Sequence, residues 1–168
     1  AVAEQIKTTE PEEIKNNYAE TYTYYCATRA LMELEGFEFQ TVFSDDEEKT
    51  AYNREYQSLY DACNKKLFTG GYRIYTSLDL DAQSQLQASV DEVLAGFGEK
   101  SDEGIYELQG AAVCIDNTTG MVRAIIGGRS QDDVEGYTLN RAFQSFRQPG
   151  SAIKPLIVYT PALERGYT

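Results

Sequence analysis

Ser151 and Lys154 stand three residues apart in Pro149-Gly150-Ser151-Ala152-Ile153-Lys154-Pro155, and no other serine in the chain has a lysine at that spacing. Residues three apart on a helix lie side by side, so the lysine amine can reach the serine hydroxyl. A free lysine is protonated near neutral pH and cannot take the serine proton. Burial among Ile153, Leu156 and Ile157 would lower its pKa and make a neutral amine accessible as a base. Pro149-Gly150 sets Ser151 near a helix N-terminus, where the dipole and unpaired N–H groups favour developing negative charge. The Ser151 N–H is thus a candidate for half of an oxyanion hole. Taken alone the tetrad is a weak signal, since a capping serine and a solvated lysine on a surface helix share its pattern.

The composition strengthens the case by exclusion. The chain has 168 residues and no histidine. That rules out a Ser-His-Asp triad, a Cys-His pair, an HExxH zinc site and a histidine proton shuttle. Any base must come from Lys, Glu, Asp or Tyr. The 27 acidic residues outnumber 15 basic ones, for a net charge of −12, and this argues against a nucleic-acid or anionic-membrane surface. Cys26, Cys63 and Cys114 lack CxxC spacing, so no metal site is expected, and nothing in the sequence asks for a cofactor. They read as small buried hydrophobes, with a disulfide between Cys26 and Cys63 as the alternative.

Several other groups have simpler readings. Tyr18, Tyr22 and Tyr25 could stack on sugar rings, but their helical spacing suits core packing better. Asp45 to Glu48 fit a helix first turn better than a cation site. Asp79-Leu80-Asp81 imitates a metal-binding DxD, yet capping a helix is the simpler duty. Asn117-Thr118-Thr119 is turn chemistry, and Gly127-Gly128 lacks the lysine of a phosphate loop.

The elements that must position Ser151 follow from capping and periodicity. Thr9 and Glu12 have capping-box spacing, with Pro11 in the first turn, and open a helix that ends near Gly36. Ser44 and Glu47 repeat the pattern before a second helix striped by Tyr52, Tyr56, Leu59, Tyr60, Cys63 and Leu67, ending at Thr69-Gly70-Gly71. The two helices should pack as a hairpin. Tyr72 to Leu78 alternates like a strand, and Asp79 or Asp81 then caps a third helix with Leu86, Val90, Val93, Leu94 and Phe97 on its apolar face. Glu99 to Gly104 is polar and reads as a domain boundary. Gly110 to Ile126 predicts a buried hairpin turning at Asn117-Thr-Thr-Gly120, and Gly127 to Gly136 a polar loop. Ser151 to about Gly166 is helical and apolar, with Pro161 expected to kink or break it.

Asn140-Arg141-Ala142 and Arg147 to Pro155 together resemble the active-site serine segment of class A penicillin-binding proteins, the bifunctional peptidoglycan synthases. The hairpin GAAVCIDNTTGMVRAIIGG is similar to the strands that open their transpeptidase domain, and GGYRIYTSLD to the segment leading into it. The three matches occur in family order and cover roughly 70–168; the first 69 residues resemble an interdomain region only loosely. This implies an α+β fragment: a helical linker region (1–69), a strand-helix lead-in (70–104), and the start of a transpeptidase domain bearing SxxK (105–168). It implies Ser151 as the acylated nucleophile and Lys154 as general base, although the identity of the base in such enzymes is disputed. The implied partners are peptidoglycan stem peptides ending in D-Ala-D-Ala and β-lactam antibiotics, with no nucleic acid. The implied location is the outer face of a bacterial membrane, on a parent that is membrane-anchored and also a glycosyltransferase.

The SxN and KTG motifs that complete the family site are not among the 168 residues, nor are glycosyltransferase motifs, so the chain reads as a middle slice, inactive or nearly so by itself. It begins at Ala1, shows no signal-peptide pattern, and has no apolar run of the roughly 18 residues a membrane span needs. A Ser151 helix apolar on nearly all sides predicts self-association of such a slice. The rival readings are a β-lactam-hydrolysing or β-lactam-sensing acyltransferase and a non-catalytic scaffold.

Overall fold

A computed structural model describes residues 17–130 and 139–167. The helix start expected at Thr9 to Glu13 lies outside the described residues, as do residues 131–136 of the loop expected over 127–136. Within them, α1 spans Tyr18–Leu34, α2 Asp46–Thr69 and α3 Leu80–Leu94. Strands β1 (Ala112–Ile115) and β2 (Val122–Ile126) follow, then a short α4 (Arg141–Gln144). The last part is a 3₁₀ turn over Gly150–Ile153, a π-helical stretch over Pro155–Tyr159, and α5 over Thr160–Glu164. This is the α+β arrangement the sequence implies.

Helix α1 opens on its own capping box. Asn17 accepts from the Glu20 N–H at 2.9 Å while Glu20 accepts from the Asn17 N–H at 2.9 Å. Helix α2 opens one residue later than the Ser44 pattern suggests. Asp45 is the cap and accepts from the Glu48 N–H at 2.7 Å, while Glu48 reaches back to the Ser44 N–H at 2.6 Å. The acidic cluster is thus a helix first turn. Helices α1 and α2 form the expected hairpin around Leu31, Met32, Phe37, Cys63 and Leu67. Each fully buried large side chain contributes about 1.5–3 kcal/mol of transfer free energy. At the ends of this seam, Asn64 donates to Thr28 at 3.2 Å and Lys66 pairs with Glu35.

The cysteine expectation needs correction. All three are free thiols; Cys63 is buried in the helical core, whereas Cys26 and Cys114 are exposed. Cys26 and Cys63 therefore form no disulfide.

The hairpin is present, antiparallel, with Ala112 opposite Ile126 and a register shift between Cys114 and Ile115. Asp116 shapes its turn by accepting from the Thr118 and Thr119 N–H groups at 2.8 and 3.1 Å. Those backbone donors hold its carboxyl below the usual carboxylate range. Only one strand is buried as the sequence suggested. Ala124, Ile125 and Ile126 are fully enclosed, while Val113 and Ile115 on β1 are exposed.

Tyr72 to Leu78 departs from expectation: it is extended but joins no sheet. Near its end the Ser77 hydroxyl donates to the Val122 carbonyl at 2.7 Å, and just beyond it the Asp79 N–H donates to the Arg123 carbonyl at 2.8 Å. The rest of that β2 edge is taken by α3. The Gln83 amide accepts from the Ile125 N–H and donates to the Ile125 carbonyl, both at 2.8 Å, standing in for a neighbouring strand. One turn on, Gln87 donates to the Gly128 carbonyl at 3.1 Å, and a further turn on Asp91 accepts from the Ser130 N–H at 2.9 Å. A polar i, i+4, i+8 face of α3 thus docks on the sheet edge. Val93 and Phe97, expected on its apolar face, are exposed.

Asp79 is the α3 cap, as the simpler reading held. It accepts from the Asp81 and Ala82 N–H groups, both at 3.1 Å, and from Arg123 at 2.9 Å. The Ala82 N–H, then Arg123, hold its carboxyl low.

Candidate active site

The path to Ser151 starts at a buried asparagine. Asn140 caps α4, its Oδ1 accepting from the Ala142 N–H at 3.2 Å, and its Nδ2 donates to the Tyr18 carbonyl at 3.3 Å. Its own N–H donates to Gln144 at 2.8 Å. Next to it, the Arg141 N–H donates to the Gly127 carbonyl at 3.1 Å. The approach is so close that a side chain at Gly127 would overlap the Asn140 backbone, and one at Gly128 would overlap the Tyr18 hydroxyl. These two glycines serve close packing of β2 on α1 and α4. Phe143 closes the junction, its ring 4.7 Å from Tyr25 and 5.3 Å from Tyr22. Burial first, and then a hydrogen bond with Cys26, push the Tyr22 phenol up to about 12, so it stays neutral.

From Ser145 the chain is extended and exposed until Pro149 enters the helical region and Gly150 adopts a φ of +54°. The positive φ suits glycine and turns the chain into the Ser151 segment. That segment is 3₁₀, then π, then α, rather than the continuous helix expected. The two prolines account for this. Pro155 has no N–H to offer the Ser151 carbonyl four residues back, and the Lys154 N–H takes it instead, closing a 3₁₀ turn. Pro161 likewise cannot bond the Ile157 carbonyl. The Thr160 N–H reaches back to Pro155 in π register, and the Thr160 hydroxyl donates to the same carbonyl at 2.8 Å.

The turn has a consequence for the candidate pair. In a 3₁₀ turn residues i and i+3 eclipse, so the backbone positions of Ser151 and Lys154 fall on one side of the turn. Ser151 is the second residue of the turn, where the N–H has no intrahelical acceptor. The structure thus brings the two predicted residues to one face with a backbone donor nearby. It does not supply the apolar enclosure expected for Lys154. Both Ser151 and Lys154 are exposed, as are Leu156, Ile157, Val158, Tyr159 and Leu163. The turn makes its main contacts with the π stretch behind it, and that stretch with α5.

Such a run of exposed apolar side chains favours association. Light scattering on the 168-residue chain is expected to show species larger than a monomer, growing with concentration. Leu156→Lys with Ile157→Lys should shift the distribution towards monomer. A monodisperse wild-type monomer with residues 151–164 protected from hydrogen exchange would defeat this expectation.

Comparison with known proteins bears on this segment directly. Residues 110–168 match the penicillin binding protein transpeptidase domain. That segment, about a third of the chain, is similar to part of such a domain. It is 36% identical over 118 residues to penicillin-binding protein 1A of Clostridium perfringens, covering 67% of this chain and 17% of that protein. It is 37% identical over 111 residues to penicillin-binding protein 2a of Streptococcus pneumoniae, covering 66% and 15%. Penicillin-binding protein 4 of Bacillus subtilis is 30% identical over 167 residues, covering 98% of this chain and 24% of that protein, so that alignment takes in the residues of the helical hairpin as well. The chain spans less than a quarter of the length of these three relatives. The transpeptidase match begins just before β1 and takes in β2, α4 and the Ser151 turn. Among the described residues no helix is long and apolar enough to cross a membrane.

Sequence reading named Ser151 and Lys154 as candidates but missed the buried junction from which the chain leads to them. Asn140 entered only as part of a resemblance, and Gly127 only as a rejected phosphate loop. A hint lay in the Asn140 and Gln144 spacing, which is that of a capped short helix.

Proposed function

We propose that the chain supplies the nucleophile segment of a serine D,D-transpeptidase that cross-links peptidoglycan stem peptides outside the cell membrane. The observation that supports this reading is the 3₁₀ turn, closed by the Lys154 N–H on the Ser151 carbonyl, within the segment that matches the transpeptidase domain. In the reaction the Ser151 hydroxyl oxygen attacks the carbonyl carbon between the terminal D-alanines, and Lys154, as a neutral amine, takes the hydroxyl proton. The C–N bond breaks, the proton passes to the departing D-alanine amine, and Ser151 holds the peptide as an ester. An amine of a second stem peptide then attacks the ester, releases Ser151 and completes the cross-link. A β-lactam enters by the same attack on its ring amide.

The reading extends to the parent protein as class A, with a glycosyltransferase and a membrane anchor, on the resemblance of the segments from Gly70 to Thr168 to that family in its order. It also assigns the enclosure of Lys154 to segments outside this chain, including those with SxN and KTG motifs.

Two measurements test it. The 168-residue chain should show no stable labelling by a fluorescent penicillin, since Ser151 and Lys154 are exposed and no SxN or KTG motif occurs among its residues. Labelling of Ser151 at the rate of a complete enzyme would defeat that part. A longer protein containing this chain and the rest of the domain should yield a penicilloyl adduct on the tryptic peptide 148–165, whose one serine is Ser151. An adduct on any other peptide would reject the assignment.

A further inference from the structure

A cleft of about 560 Å³ opens between α1, α2 and α4, on residues that the Ser151 chemistry does not use. Its walls are aromatic. Tyr24 and Phe68 form one pair, with ring centroids 5.1 Å apart, and Phe68 is exposed. Tyr25 stands between Phe143 at 4.7 Å and Tyr60 at 6.4 Å to form another. Among its polar side chains besides Thr21, whose hydroxyl donates to the Asn17 carbonyl, are Asp61, Asn64 and Gln144, each fixed through one end only. Asp61 accepts from Gln57 through Oδ1 at 2.8 Å, Asn64 donates to Thr28 through Nδ2, and Gln144 accepts from the Asn140 N–H through Oε1. The other ends (Asp61 Oδ2, Asn64 Oδ1 and Gln144 Nε2) have no protein partner among the described residues. They offer two acceptors and one donor, held in place by those anchoring bonds.

The chemistry of this lining selects its ligand. No lysine or arginine lines the cleft among the described residues, and its one ionisable carboxylate repels anions, so phosphates and peptide carboxylates are disfavoured. Most of the lining comes from helices, whose backbone groups are engaged within the helix, so no free edge invites an extended peptide. A neutral polyol with apolar faces fits both features. The C–H faces of a pyranose meet the negative faces of aromatic rings, and its hydroxyls bond fixed carboxylate and amide groups. The volume falls in the range of small-molecule sites.

We propose that this cleft binds a neutral saccharide, with Tyr24 and Phe68 as the stacking surface and Asp61, Asn64 and Gln144 as hydroxyl and acetamide partners. It would hold a glycan without taking part in acyl transfer, and it stands independently of the transpeptidase reading.

The test is saturation-transfer NMR observed on a sugar, tetra-N-acetylchitotetraose, added to the 168-residue chain; observation on the ligand tolerates association of the protein. Transfer to the pyranose ring protons is expected at about 1 mM sugar, with weak, millimolar affinity. Phe68→Ala and Asp61→Ala, both at exposed positions, should each lower the signal at least about fivefold while leaving the circular-dichroism melt unchanged. Asp61→Asn, which keeps an acceptor in place, should retain most of it. Absence of transfer at about 5 mM sugar would overturn the proposal. So would an undiminished signal in both alanine variants, or displacement of the sugar by an equal concentration of a peptide ending in D-Ala-D-Ala.

Discussion

Ser151→Ala, placed in a protein that carries this chain together with the rest of a transpeptidase domain, is expected to lower penicillin acylation by roughly a thousandfold or more. The substitution removes the oxygen that forms the ester and little else. The bond that closes the turn runs from the Lys154 N–H to the Ser151 carbonyl, both backbone atoms, so alanine preserves it. Ser151 is exposed, and such surface changes shift stability by no more than about 0.5 kcal/mol. Activity and stability therefore separate cleanly. Lys154→Arg provides the companion measurement. Arginine keeps the charge but cannot give up its proton near neutral pH, so a base role predicts a loss of about a hundredfold or more. Stopped-flow acylation with a labelled penicillin, alongside thermal melts of each variant, reads both. Acylation of Ser151→Ala within tenfold of the wild-type rate would leave Ser151 a structural residue.

Gly127→Ala should be the most damaging of the single-methyl substitutions in the hairpin region. A Cβ there meets the Asn140 Cα, Cγ and Oδ1, and two of those neighbours belong to a side chain with no room to retreat. Asn140 is fully buried and bonded to α1 through Tyr18 and to α4 through Ala142. The methyl must therefore wedge β2 from α4, an overpacking that costs about 1–3 kcal/mol or somewhat more. For a chain of this size each kcal/mol lowers the melting temperature by roughly 2–4 °C. Gly96→Ala is the control, because nothing lies within 4 Å of its added methyl and its φ is not positive. Calorimetry should show Gly127→Ala melting several degrees below wild type and Gly96→Ala close to it. Equal melting temperatures for the two would remove the packing role given to Gly127. In the longer protein the same wedge should also slow acylation, since α4 begins the path to Ser151.

What the sequence shows and what it hides divide along the range of the interactions involved. Capping is local, so Asp79 was legible as the start of α3, and the Asp45 cluster as the start of α2 to within one residue. The Ser151 and Lys154 spacing is local too, and so are the prolines that shape the turn. Reading them as one kinked helix missed the outcome, because the missing Pro155 and Pro161 donors change the hydrogen-bond register rather than simply bending the axis.

The docking of α3 was not legible. A helix bearing Leu86, Val90 and Val93 invites burial of an apolar stripe, yet Leu86 and Val90 are only half-buried, Val93 is exposed, and Gln83, Gln87 and Asp91 make the hydrogen bonds that dock the helix. Their partners lie about forty residues away, on a strand edge whose open N–H and carbonyl groups a side-chain amide can satisfy. The same edge explains why Tyr72 to Leu78 stays outside the sheet despite its strand pattern. Propensity favours extension there, but only available backbone partners make a ladder.

By itself, then, the sequence determined the chemistry available to this protein. The absence of histidine and a single serine with lysine three residues on leave few bases and few nucleophiles, because residue type and short-range spacing are written directly in the chain. The tertiary structure decided which of those groups are held, exposed or enclosed. Asn140 became the pin between α1, β2 and α4, an aromatic helical pattern opened in part as a cleft, and Lys154 emerged in solvent. Each outcome depends on which distant surfaces meet, and burial is a property of those meetings rather than of any residue alone.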